Sequence, residues 1–386
     1  MRTRLSLVPV LTLAAAVAAC SDDSLGPPSG VARDSVAPEI VAWLRSSVHP
    51  FDTAEPGSGF EDLAFLRDMI GSARVVALGE ATHGTHEFVR MKHRVLEFLV
   101  EEMGFNTFAL EATWPESNRV NAFVHTGQGD PLALLSGLYF WTCCPEEVLD
   151  MVLWMREHNR DPGNAPRVSF YGFDMQFPGM AIHNVLTFLD DVDPAAAAWV
   201  SGRYDCLTPF ANGPGEGTSR VVLYGQQPLA YRNACLADLE AVHDSVMAAR
   251  DTWETASSTA AFARVARSAR ILVQFEVKES ARIPGARDLF MAENVGWLLD
   301  QAGPDAKIVL SAHNGHVADD PYFDGGGSLG HHLRTRSGDD LVIVGFDFHH
   351  GGFQAITVTD AGTLAGLNDH YVEYPPRGSY EYYFHS

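Results

Sequence analysis

Four short apolar runs punctuate the chain, and each stops at a polar residue. Residues 75–78 (VVAL) run into Gly79-Glu80-Ala81-Thr82-His83-Gly84. Residues 107–110 end in Glu111, residues 168–173 in Asp174, and residues 307–312 in His313. The continuous apolar run at 75–78 is the pattern of a strand covered on both faces, and the other three runs are mainly apolar. Between the runs the spacing changes. Phe88, Met91, Val95, Phe98 and Leu99 follow the first run, and Val148, Met151, Val152 and Met155 follow the second. Recurrence at threes and fours predicts helices, and Pro115, Pro145 and Pro178 suit their first turns. Strands separated by helices predict an α/β fold, a largely parallel sheet with helices on both faces. In such a sheet the four polar ends gather on one edge, where open α/β sheets carry their sites.

The remaining segments extend this plan. Two helices are expected before the first strand, one after Ala37-Pro38 with Ile40, Val41, Trp43 and Leu44, and one near Ser58 with Phe60, Leu63, Phe65, Leu66 and Ile70. Residues 195–280 carry no strong strand signal. Outside a Gly/Pro-rich patch at 212–217 they predict a helical insert, a cap over the strand carboxyl ends. Residues 341–348 and 353–358 read as a final pair of strands about Gly351-Gly352. The N-terminus is different in kind. Arg2 and Arg4 precede an apolar stretch, residues 5–19, too short to span a bilayer comfortably and typical of a secretory leader. It closes on Val17-Ala18-Ala19-Cys20, which resembles a bacterial lipobox with Cys20 as the lipidated residue. Residues 20–36 are rich in Ser, Asp, Gly and Pro and read as a flexible tether, leaving 37–386 as the domain. The expected location is therefore exported and membrane-anchored, periplasmic or at the cell surface.

Composition narrows the partners. With 386 residues, 46% of them hydrophobic, the chain has material for a large core. Its formal charge is −22, about −24 without the leader's two arginines, which argues against nucleic acid or an anionic membrane surface as a partner. Export implies an oxidising compartment. Adjacent Cys143 and Cys144 pair only with strain, so Cys206–Cys235 is the expected bridge.

Glu80 and His83 supply the first candidate chemistry, since a carboxylate beside an imidazole fixes its tautomer and readies it to take a proton from water. Glu111 sits at the end of a buried run, and Ala312-His313-Asn314-Gly315-His316 sets two histidines three apart after another. Lys92, Trp114, Asp174 and Asn314 are candidate substrate contacts. Arg90, Arg94, His86 and His93 read as solvated helix-surface residues. The alternative for the Glu/His set is a zinc or other divalent-metal site. Gly326-Gly327-Ser328-Leu329-Gly330 fits the G-x-S-x-G pattern of serine hydrolases, with Asp347, His349 and His350 downstream, but loop composition precedes it where a nucleophile elbow needs a buried strand.

Taken together these stretches resemble the erythromycin esterase family over roughly residues 40–360. The landmarks are GEATHG at 79–84, FALEATWPESNRVNAFV at 108–124, YGFDMQ at 171–176, RDLFMAENVGWLL at 287–299, SAHNGHV at 311–317 and SLGHHL at 328–333. The resemblance implies an α/β domain with a helical portion over the cleft. It implies cofactor-free and metal-independent hydrolysis of an ester, in known members the macrolactone of macrolide antibiotics. The matching site positions are Glu80, His83, Glu111, His313 and His316, with Lys92 where some members have arginine. His83, oriented by Glu80 or Glu111, would deprotonate water, and His313, His316, Lys92 or backbone N–H groups would stabilise the oxyanion. No covalent serine intermediate is expected. The expected partner is a small-molecule ester or macrolide-like substrate, and the reading from another class is a lipid-tethered binding protein without chemistry.

Overall fold

The computed structural model describes residues 38–143, 145–211, 219–359, 364–376 and 378–385. The leader, Cys20, the tether and Cys144 lie outside the described residues. Chain order begins α1 (Pro38–Ser47), α2 (Leu66–Ile70), β1 (Val75–Leu78), α3 (His86–Met103), β2 (Thr107–Thr113), α4 (Trp114–Thr126) and α5 (Pro131–Ser136). It continues with α6 (Glu146–Arg160), β3 (Ser169–Asp174), α7 (Gly179–Val192), α8 (Pro194–Tyr204), α9 (Ser219–Gly225), α10 (Leu229–Ala248), α11 (Arg250–Ala256) and α12 (Thr259–Glu279). Last come α13 (Ala286–Ala302), β4 (Ile308–Ser311), α14 (Asn314–Val317), α15 (Leu329–Ser337), β5 (Leu341–Val344), β6 (Gly351–Val358), β7 (Leu364–Val372) and α16 (Tyr380–His385). These residues divide into two compact units.

The larger unit comprises Pro50–Ala81 and His86–Phe346. It holds a five-stranded sheet in the order β3-β2-β4-β1-β5, parallel throughout. Side chains of a strand alternate between faces, and here both faces are covered. Val75, Ala77, Ile308 and Leu310 enter one core with Val185 of α7, Leu272 of α12 and Val295 of α13. Val76, Leu78 and Val309 enter another with Leu96 of α3, Val120 of α4 and Val152 of α6. That double burial is why these strands read as continuous apolar runs.

Two expectations change, and one strand is new. Residues 341–344 and 351–358 are not partners: β5 lies parallel to β1 at the sheet edge, whereas β6 pairs antiparallel with β7. The sequence of β7, LAGLNDHYV, alternates poorly and buries little, so it gave no strand signal. The solvated face assigned to α3 is also buried in part: Arg94 is 1% exposed and His93 is 4% exposed, as buried as Lys92 beside them. The segment ahead of β1 supplies the partners. Arg94 donates to both Asp62 oxygens, at 2.6 and 3.0 Å, and to the carbonyls of Thr53 and Gly59. Arg94's hydrogen bond holds the Asp62 carboxyl down at about 2. Burial, helped by the charge of Arg90, pushes His93 down to about 4, so it sits in the core as a neutral ring.

The stretch expected to be helical, 195–280, forms α8 to α12 across its described residues. Cys206 and Cys235 are bridged with their Cα atoms 5.6 Å apart, tying the end of α8 to α10. Helix α12 packs against α7, α10 and α13.

The smaller unit comprises residues 38–49, Thr82–Thr85 and the described residues from 347 onward. Gln354 N donates to Gly84 O at 3.1 Å. A Cβ on Gly84 would lie 2.0 Å from Gln354 O, so only glycine fits this turn. Among the described residues no helix is long and apolar enough to cross a membrane.

Candidate active site

Parallel register brings the ends of β1, β2, β3 and β4 to one edge, with Leu78 and Leu110 both level with Ser311. Immediately beyond, two turns interlock. Asn314 N donates to Glu80 O at 2.8 Å, and His313 Nε2 lies 3.1 Å from Ala81 O. A Cβ on Gly79 would lie 2.1 Å from Asn314 Oδ1, which is why glycine follows the strand. On the β2 side, one extra residue in β2 shifts its register against β3 between Leu110 and Thr113. Bulges of this kind re-aim side chains at sheet rims, and this one carries Glu111.

The polar side chains on this edge are densely paired. Buried Glu80 accepts from Lys92 Nζ at 2.5 Å, and the same ammonium reaches Ser311 Oγ at 3.1 Å and Ala312 O at 3.3 Å. Glu111 Oε2 accepts from His313 N at 3.0 Å, and Oε1 accepts from Arg287 Nη2 at 2.6 Å. His313 Nδ1 caps the short α14 by accepting from Gly315 N at 3.1 Å. With that nitrogen an acceptor, the ring proton is on Nε2, directed at Ala81 O. His316 Nδ1 lies 2.8 Å from Asp288 Oδ1, while Nε2 lies 2.9 Å from Arg287 Nη1 and 3.5 Å from Glu111 Oε1.

Asp174 closes the group from β3. Its Oδ2 accepts from Arg287 Nη2 at 2.6 Å, Arg287 Nε at 3.1 Å and Gln176 Nε2 at 2.7 Å. Complete burial works to raise its pKa, but the charge and hydrogen bonds of Arg287, with the Gln176 amide, outweigh this and hold it below the ordinary carboxylate range. Burial opposes the charge on Arg287 in turn, yet Asp174 and Glu111 hold its pKa above the usual arginine value.

Several substrate-contact candidates take other roles. Trp114 is 1% exposed and packs edge-on against Trp297 at 5.1 Å, a core residue rather than a ligand contact. Asp174 is wholly buried and Lys92 nearly so, and each is spent on protein partners rather than on a ligand. Asn314 directs its amide to Phe346 O at 3.0 Å. Ser328, in the G-x-S-x-G stretch, caps α15: its wholly buried Oγ accepts from His331 N and Asp320 N, each at 3.1 Å. It also donates to Ala318 O, 2.5 Å away. A side chain on Gly330 would collide with Val317 O, 1.9 Å from its Cβ. His83 lies in the smaller unit, on Thr82–Thr85, where the Thr82 and Thr85 hydroxyls are hydrogen-bonded to each other.

Arg287 and Asp288 are site residues that the sequence reading alone does not single out. The signal was present: a cation and a carboxylate open the RDLFMAENVGWLL stretch, directly after a Gly285 at φ +64° that starts α13. More than a hundred residues separate them from Glu111 and Asp174 in the chain, and periodicity carries no information over that span. Among the described residues no three His, Cys, Asp or Glu side chains are grouped as metal ligands would be.

A parallel α/β protein whose charged side chains meet beyond the carboxyl ends of its central strands is the class these features define. Its helical excursion leaves after β3 and returns at α13. The chain belongs to the erythromycin esterase family, whose model matches residues 100–386. Erythromycin esterase type II of Escherichia coli is 27% identical over 368 residues, spanning 88% of this chain and 84% of that protein. A Bacillus cereus protein of known crystal structure superposes with a TM-score of 0.76 at 26% identity, covering 90% of this chain and 82% of the other. The open conformation of an erythromycin esterase mutant gives a TM-score of 0.68 at 17% identity over 82% and 81% of the two chains, a likeness of fold alone.

Proposed function

We propose that this protein is a carboxylic ester hydrolase that adds water to the carbonyl of a small-molecule ester, with macrolactones as the first class to test. Membership of the family supports hydrolysis, and the name of the Escherichia coli relative motivates the macrolide. The observation that carries the reading is the meeting of the 79–81 and 312–316 turns. It brings Glu80 and His313 to one edge, where Glu111 and His316 join them.

In this mechanism His83 is the base, assigned on its place in the GEATHG turn. It takes a proton from water as the oxygen bonds to the carbonyl carbon. The tetrahedral intermediate then expels the alcohol oxygen, which receives the proton back, so ester and water become acid and alcohol. The side chains at the strand ends supply a fixed electrostatic frame that does not have to reorganise during reaction. A divalent metal on the same residues is disfavoured by charge, because the Arg287 guanidinium stands 2.9 Å from His316 Nε2, where a bound cation would meet it. Lipidation at Cys20, export and membrane tethering complete the proposal. Loss of membrane association in a C20S variant of the full chain is the expected result.

Incubating the metal-stripped protein with erythromycin and a panel of simple esters, read by mass for addition of one water, tests the activity. His83→Ala should abolish turnover while far-UV circular dichroism stays unchanged. Near wild-type turnover in that variant would remove His83 as the base. Saturable binding with no hydrated product would instead favour a capture protein.

A further inference from the structure

Hydrolysis through a tetrahedral intermediate needs a hydrogen-bond donor aimed at the developing oxyanion, and the donors suggested by the sequence are already spent. Lys92 gives its three ammonium hydrogens to Glu80, Ser311 and Ala312. The His313 ring proton faces Ala81 O, and the His313 backbone N–H goes to Glu111. Asn314 N and Gly315 N donate to Glu80 O and His313 Nδ1. His316 has no proton to offer at the rim. An arginine can only donate, so Nε2 must be the acceptor in its contact with Arg287 Nη1, and the ring proton is on Nδ1, donated to Asp288.

Arg287 is the exception. A guanidinium carries five N–H groups. Nε–H goes to Asp174, the two on Nη2 go to Asp174 and Glu111, and one on Nη1 goes to His316. The second N–H on Nη1 has no acceptor among the described residues, and 22% of the side chain is open to solvent. Resting on the hydrolase reading, we infer that Arg287 is a catalytic residue whose remaining Nη1–H donates to the carbonyl oxygen as it becomes an oxyanion.

The surroundings explain why such a donor stays aimed. Asp174 and Glu111 fix the far side of the guanidinium plane from two adjacent strands. His316 fixes Nη1 from α14, just after β4, with its ring held by Asp288 and packed edge-on against Phe323 at 5.4 Å. Asp288 is 1% exposed and also accepts from Leu329 N at 2.8 Å, which anchors it to the start of α15. Asp288 and His316 are therefore positioning residues for Arg287. A donor held on three sides reaches the transition state without reorganising.

The test compares wild type with Arg287→Lys, which keeps a cation for Asp174 and Glu111 but has too few N–H groups to serve all four partners. Erythromycin and p-nitrophenyl butyrate are the ester probes, and the p-nitrophenyl monoester of butylphosphonate, a tetrahedral anion, is the binding probe read by calorimetry. The expected result is a fall in kcat of about 10²–10³-fold, with KM little changed and phosphonate binding weakened by a comparable factor. Methylguanidinium should restore part of the rate in Arg287→Ala if that variant folds. Equal phosphonate binding by wild type and Arg287→Lys would overturn the assignment even if esters are hydrolysed. Absence of turnover in wild type would overturn the hydrolase reading, and phosphonate binding would then decide on Arg287 alone. A wild type that binds no phosphonate sinks the inference as well.

Discussion

Glu116 offers the sharpest thermodynamic test of the structure. It lies in the first turn of α4, wholly buried, and neither carboxyl oxygen has a hydrogen-bond partner among the described residues. Burial pushes its pKa from 4.5 up to about 8, an effect that the nearby N–H groups of Glu116 and Met180 and the charge of Arg119 temper without reversing. The folded protein therefore holds this proton well above the pH at which the unfolded chain releases it. Folding stability from this group is complete below pH 4.5 and is lost as pH rises through 8. One retained proton gives a slope of about 1.4 kcal/mol per pH unit across that window, so roughly 4–5 kcal/mol disappears in all. Glu116→Gln removes the titration while keeping the shape. Its amide leaves unmet hydrogen bonds of its own, but that cost does not vary with pH and cancels from the slope. Urea unfolding of both proteins at pH 5, 6, 7 and 8 should show the stability difference moving in favour of the glutamine variant by about 1.4 kcal/mol per unit. Parallel stability curves would refute the reasoning, because they would mean that Glu116 is ionised in the fold or solvated there.

Two more outcomes follow from the same packing. Replacing Cys206 and Cys235 together by serine releases a loop closed across a 29-residue separation, which should lower stability by about 3–4 kcal/mol; an unchanged urea midpoint would show that the bridge is not formed in the protein. Ser328→Ala loses the cap of α15 and should cost about 1–2 kcal/mol with ester hydrolysis retained. Loss of turnover in a folded Ser328→Ala protein would reinstate a serine nucleophile.

The sheet was readable because its central strands are covered on both faces, so Val75, Val76, Ala77 and Leu78 had to be apolar at every position. Their polar ends, Glu80, Glu111, Asp174 and His313, stood out for the same reason. The hairpin was harder to see. Leu364 and Leu367 are exposed, and a strand with little buried face leaves no alternation to find. Burial of Lys92, His93 and Arg94 was hidden too, since a solvated charge and a paired internal one look alike until the partner is known. Asp62 is that partner for Arg94, and it lies 32 residues upstream. Arg287 was out of reach on similar grounds: its three acceptors, Glu111, Asp174 and His316, come from β2, β3 and the turn after β4, and tertiary structure alone assembles them.

The ion pair between Asp174 and Arg287, 2.6 Å long, joins the point where the chain departs from β3 to the point where it comes back. An excursion of more than a hundred residues is thus pinched shut at its neck. Within it α7 and α12 pack on the sheet, so the clasp holds that helical layer at the edge where the polar strand ends gather.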